Sequence, residues 1–173
     1  MKKILLAFLC ALTVGCASLG MPGSISKQTS QFDGTNQITM EPAWIYGGSG
    51  AIKFGLYKNS KMPNDKVILT AVVNRITDFA KKGALEFKID GEIISLDSID
   101  SLSDHAVDPY SNGWTSRRYE VSKDFIEKLI NAKKVYVKIN LIKEYVEGEF
   151  SSDAPMTARP SFKNFIKEAW GNK

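Results

Sequence analysis

The chain predicts an α+β fold: a mainly antiparallel β-sheet or small β-sandwich with two short helices packed on it. Three observations carry that prediction. Leu85, Phe87 and Ile89 alternate with Glu86, Lys88 and Asp90, Gly91 follows, and Ile93 to Leu96 resumes the apolar signal. Asp-Gly between two such runs marks a tight hairpin, because the turn needs φ > 0. Val135, Val137, Ile139 and Leu141 alternate against Tyr136, Lys138 and Asn140, the period-two signature of a half-buried strand. Helical spacing is carried by Phe125, Ile126, Leu129 and Ile130, and again by Phe162, Phe165, Ile166, Ala169 and Trp170.

Taken in order, residues 16–31 are small, polar and broken by Gly and Pro, and read as a flexible tether with an r.m.s. span on the order of 20 Å. Ser24 to Asp33 is equally compatible with a first edge strand. One globular domain is expected over 32–173. Ile38–Met40 and Trp44–Tyr46 suggest a strand interrupted at Glu41-Pro42, since proline cannot donate within a ladder. Gly47 to Gly50 is a turn, Ala51 to Tyr57 an alternating strand, and Lys58 to Lys66 a loop. Val67 to Arg75 is the most apolar stretch after residue 15. Val67, Leu69, Ala71 and Val73 line one face and Ile68 and Val72 the other, so it is expected to be central and buried on both faces.

Asp97 to Gly113 has no periodicity and reads as a long loop, after which Thr115 to Val121 restores a strand. Ser122 is placed as the N-cap of the first helix, with Asp124 in its first turn and Lys133 and Lys134 at its far end. Glu144 to Phe150 is a weaker strand around Gly148, Ser151 to Pro160 a loop, and Ser161 the expected cap of the last helix. That makes about eight strands.

The N-terminus is of a different kind. Lys2 and Lys3 precede the apolar run Ile4 to Val14, and Gly15 precedes Cys16. These eleven residues, apolar but for Thr13, make about 16 Å of helix, against roughly 30 Å of hydrocarbon, so the run is too short to span a membrane. It reads instead as an export signal. Residues 1–16 resemble a bacterial lipoprotein signal, with Thr13-Val14-Gly15-Cys16 in the place of the lipobox. Thr13 stands where that motif usually has Leu, and an ordinary secretory signal cut near Ala17 is the alternative. The resemblance implies cleavage of residues 1–15, a diacylglycerol on the Cys16 sulfur, and a domain attached to the membrane through that lipid. Ala17, which is not Asp, further implies the outer membrane, facing the periplasm, if the cell has one.

Removing residues 1–15 from the 173 leaves 158, and takes the formal charge from +4 to +2 because Lys2 and Lys3 leave. Two net charges on a domain of that size do not support nucleic-acid binding. Cys10 would leave with the signal and Cys16 would be acylated, so no disulfide or free thiol is expected. No cofactor or nucleotide motif is present. His105, the single histidine, sits in an acidic loop with Asp97, Asp100, Asp104 and Asp108; their spacing matches no calcium motif and suits no zinc site.

Gly47-Gly48-Ser49-Gly50 lacks the Gly-x-Ser-x-Gly order of a nucleophile elbow. No catalytic residue is therefore assigned. The most suggestive surface feature is Trp114-Thr115-Ser116-Arg117-Arg118-Tyr119, because aromatics beside Arg are enriched at interfaces. Trp114, Arg117 and Arg118 are the candidate binding patch, with alternation sending Arg117 and Tyr119 to one side and Arg118 to the other. The expected function is a non-enzymatic, membrane-anchored envelope lipoprotein that binds another envelope protein or a small envelope ligand. Two other classes are compatible: an envelope hydrolase using paired carboxylates, which leave no sequence mark, and a surface-exposed protein meeting a host or phage.

Overall fold

The computed structural model describes residues 20–47, 52–107 and 113–171; the expected signal, Cys16 and part of the expected Gly47–Gly50 turn lie outside them. The most apolar stretch forms β4 (Lys66–Val73), flanked antiparallel by β3 (Ile52–Asn59) and β8 (Gly113–Ser122). Around this centre a six-stranded sheet is completed by β2 (Asn36–Trp44) and β1 (Ile25–Thr29) beyond β3, and by β7 (Asp104–Val107) beyond β8. A four-stranded sheet runs β10 (Tyr145–Glu149), β9 (Val135–Asn140), β5 (Leu85–Ile89), β6 (Glu92–Leu96). Helices α1 (Lys123–Asn131) and α2 (Ala158–Trp170) pack on the large sheet and on each other. The fold is mainly antiparallel α+β, as the periodicities predict.

The core lies between the two sheets and under the helices. Phe54, Phe87, Phe150, Phe162 and Phe165 are each less than 2 % exposed, a transfer gain of roughly 1.5–3 kcal/mol apiece. Their rings meet in pairs: Phe54 and Phe87 at 5.6 Å between centroids, and Phe150 and Phe162 edge-on at 5.1 Å. The expected helical stripes face this core, with Ile126, Leu129 and Ile130 of α1 and Phe162 and Phe165 of α2 buried. The Asp90-Gly91 hairpin is also present, both residues having positive φ (48° and 101°). The carboxylate of Asp90 accepts from the amides of Lys133 and Lys134, tying the hairpin to the end of α1.

Several expectations are corrected. Of the two readings open for Ser24 to Asp33 the edge strand is the one present, β1 pairing from Ile25↔Met40 to Thr29↔Asn36, and part of the expected long loop is β7. Both are edge strands with a row of polar or half-exposed side chains, so neither carries the apolar alternation of a core strand. The strand through Pro42 continues, because Glu41-Pro42 sits in a bulge between Met40 and Ala43 where no ladder donor is needed. Gly55 lies opposite, and a Cβ there would come within 3.3 Å of the Pro42 ring.

β4 is central, but only Val67, Leu69, Ala71 and Val73 are buried; Ile68 and Val72 are half-covered on an outer face. Ser122 does cap α1, accepting from the Phe125 amide at 3.1 Å. Lys133 and Lys134 lie past its end, and the last carbonyls of α1 are met instead by Arg159. Thr157, not Ser161, occupies the N-cap position of α2. Ser161 is inside the helix and donates to Thr157 O at 2.9 Å, while Pro160 falls in the first turn, where its missing N–H costs nothing.

The sheets join at one end of the molecule. Tyr46, past the end of β2, pairs with Glu149 of β10, and Phe79, past the end of β4, pairs with Leu141 just before β10. The last residue of β10 thus meets the chain beyond β2, and the turn between β9 and β10 meets the connection between β4 and β5.

Candidate functional site

The Trp114–Arg118 segment divides between two environments. β8 alternates, so Thr115, Arg117, Tyr119 and Val121 face inward and Trp114, Ser116, Arg118 and Glu120 face outward. Arg117 is thus removed from the candidate patch: it is 4 % exposed, donates from Nη1 to Ala80 O at 2.7 Å, and lies 5.7 Å from the Phe79 ring. Its Nε and the hydroxyl of Tyr119 are buried without a hydrogen-bond partner. Burial also pushes the Tyr119 phenol well above the usual tyrosine range. Arg118 is half-exposed but committed. It grips Asp100 with Nη2 at 2.8 Å and Nε at 3.2 Å, while its backbone amide donates to the same carboxylate at 2.8 Å. Burial pulls Asp100 upward, and the Arg118 guanidinium overcomes it, holding the carboxyl below its ordinary range.

What remains of the patch is Trp114, and the structure gives it new neighbours. Cross-strand register sets Trp44, Lys53, Val72 and Ser116 in one row across the outer face. Trp114, Asn74, Glu41 and Pro42 close a groove of about 330 Å³ over Lys53 and Val72 of that row, with Gly20 and Pro22 lining it as well. Lys53 Nζ stands 4.0 Å from the centroid of the Trp44 ring, a cation–π contact, and its burial lowers the ammonium pKa. The groove offers an indole, two prolines and a valine as apolar walls, with a partly desolvated cation, a carboxylate and an amide placed among them. Such a mixture suits a ligand with an apolar body and polar edges. Lys53 and Glu41 were not singled out from the sequence. The alternation of Ala51 to Tyr57 places Lys53 outward, but only the register sets it beside Trp44.

A second depression, about 430 Å³, lies on the outer face of the small sheet. Register there puts Lys138 between Glu147 and Glu86, and its ammonium stands 4.7 Å from the centroid of the Tyr145 ring. Alternating charge of this kind is a solvated sheet face.

One cluster has the parts of a nucleophilic relay. His105 Nδ1 is 3.0 Å from Thr115 Oγ1, and its Nε2 is 3.3 Å from Asp78. Thr115, however, is fully buried, donates to Arg75 O at 2.8 Å and accepts from the Thr77 amide at 3.0 Å. A hydroxyl whose proton is held by a carbonyl, with no solvent access, is not available for attack. The cluster fastens the connection after β4 to β7 and β8. Among the described residues the carboxylates displaced from their ordinary range move downward: Asp33 under a Lys61 hydrogen bond, Asp153 under Lys163, Glu168 under Lys27, and Asp100 as above. A general acid requires the opposite displacement.

Among the described residues no group of three or more His, Cys, Asp or Glu side chains converges on a metal-sized site, and no helix is long and apolar enough to cross a membrane. Comparison with family models, with curated proteins and with solved structures found no significant match.

Proposed function

We propose that this chain is a bacterial envelope lipoprotein, held by acyl chains on Cys16 at the periplasmic face of the outer membrane, whose domain acts by binding. The observation that carries the reading is the run Met1–Cys16, with its two lysines, eleven-residue apolar stretch and Gly15-Cys16 junction, placed four residues before the described fold starts at Gly20. The groove around Trp114, Lys53 and Glu41 is the surface assigned to a partner, either another envelope protein or a small envelope ligand. Arg118 is secondary to it, being already engaged by Asp100. Growth with labelled palmitate provides the test. Wild-type protein is expected to carry the label and sediment with membranes, and Cys16→Ser to lose the label and become soluble. Label that survives Cys16→Ser overturns the reading.

A further inference from the structure

We infer that the end of the domain from which the chain leaves at Gly20 is a bilayer-docking face, an apolar rim that rests in the lipid headgroup layer. The inference rests on the Cys16 anchor proposed above and adds which face meets the lipid.

The rim is made of Met21, Tyr46, Ile76, Val107, Ile142 and Met156, each between 47 % and 66 % exposed. These residues come from six separate segments, and the fold gathers them. The paired residues Ile52, Val73, Thr115 and His105 mark one end of the large sheet, and Tyr46, Ile76 and Val107 all lie beyond that row. Ile76 lies against Gly113, the partner of Val107. Ile142 is brought to the same end by its backbone N–H, which donates to Asp78 O at 3.0 Å, and Met156 by its backbone carbonyl, which accepts from the Trp44 amide at 3.0 Å. Met21 and Met156 line one shared depression. Single exposed apolar residues need no explanation, but a set converging around a chain exit points to an apolar neighbour.

The chain's length says which neighbour. Three residues, Ala17 to Leu19, separate Cys16 from Gly20, and the four residue steps between them reach at most about 14 Å fully extended. The headgroup layer is itself roughly 5–8 Å deep on each side of a bilayer. An acylated Cys16 therefore keeps this end at the lipid surface. The opposite end, with the fully exposed Phe32 in the β1–β2 turn, is roughly 30 Å away, the length of the nine-residue β2.

The rim carries charges of both signs. Of the acids near the rim, Glu144 pairs with Arg75 at 2.6 Å and Asp153 with Lys163 at 3.0 Å, whereas Glu41 and Glu149 have no ion-pair partner among the described residues. Among the described residues Lys81, Lys82 and Lys143 have no ion-pair partner. Lys143 shares the turn of Ile142, and Lys81 and Lys82 follow Ala80, which is hydrogen-bonded to Asn140. Basic side chains set among apolar ones are what an anionic headgroup layer attracts.

With Cys10 removed and Cys16 acylated, an introduced cysteine is the single free thiol of the processed protein. Ile142→Cys, Ile76→Cys and Phe32→Cys, each in the full chain, would be purified and labelled with an environment-sensitive fluorophore. They would then be reconstituted in vesicles of phosphatidylethanolamine with a minority of phosphatidylglycerol, with and without brominated acyl chains. Bromine quenching is expected to be at least about threefold stronger at Ile142 and Ile76 than at Phe32. Equal quenching at the three sites, with palmitate still on Cys16, overturns the docking face and leaves the anchor standing. A blue shift at Ile142 without bromine quenching also overturns it, since a protein surface such as a second copy then covers the rim. Failure of palmitate labelling at Cys16 removes both readings.

Discussion

Arg159 offers the clearest test of how the two helices are held. Its guanidinium is mostly buried and donates Nε to Ile130 O at 3.0 Å, Nη2 to Ala132 O at 3.2 Å and Nη1 to Ser151 O at 2.9 Å. Two of these carbonyls lie at the C-terminal end of α1, where the helix dipole favours a cation and the last carbonyls have no partner within the helix. A hydrogen bond to a charged group is worth about 1.5–3 kcal/mol. Water can reach part of this site once the side chain is truncated, so Arg159→Ala should cost about 2–4 kcal/mol rather than the sum of three bonds. For a domain of this length that is a fall in Tm of about 6–12 °C, measurable by urea and thermal unfolding. Arg159→Lys, which keeps the charge but loses the fork of donors, should fall between. The nearest carboxylate, Asp153, is 3.8 Å away and largely exposed, so Asp153→Ala should cost less than about 1 kcal/mol. An Arg159→Ala loss below about 0.5 kcal/mol, or one matched by Asp153→Ala, would refute the capping argument.

Acid stability should depend on Asp100. Its folded-state pKa lies below the unfolded value near 3.9, so its contribution is complete above that value and lost as pH falls through the lower, folded one. Thermal unfolding from about pH 7 down to about pH 3 should show Asp100→Asn less stable than wild type at neutrality and less sensitive to acid; parallel curves would contradict the pairing with Arg118. Thr115→Val preserves shape but strands the Arg75 carbonyl and the Thr77 amide, and should cost about 2–4 kcal/mol in urea unfolding. A neutral result there would remove the structural role assigned to the Asp78–His105–Thr115 cluster.

The fold was legible wherever a single strand or helix buries one face against the core. β5, β9, the Asp90-Gly91 turn and the apolar stripes of both helices declare themselves by period, because burial imposes the period on every second or every third-to-fourth residue. β7 is not legible, and β1 stands only as one of two readings, because an edge strand is fixed by its ladder to one neighbour, which leaves no apolar signature in Ser26, Lys27, Gln28 and Thr29 or in Asp104 and His105. Arg159 escaped because its partners are backbone carbonyls up to 29 residues distant, and any residue supplies a carbonyl. At the candidate site, alternation alone separated Arg117 from Arg118. What Trp114 stands beside depended on register across four strands, and register between distant strands is not written in local sequence.

The edge position of β1 has a mechanical consequence. Any traction on Cys16 enters the domain at Gly20 and passes directly into β1, which runs from the exit end toward the far hairpin. A load applied along that axis shears the β1–β2 ladder, so the register from Ile25↔Met40 to Thr29↔Asn36 bears it together instead of opening one pair at a time. Lys27 adds a cross-tie to Glu168 on α2, which spreads the force from the sheet into the helical layer. Under such an axial load β1 is gripped along its length, and the same strand pulled sideways would peel.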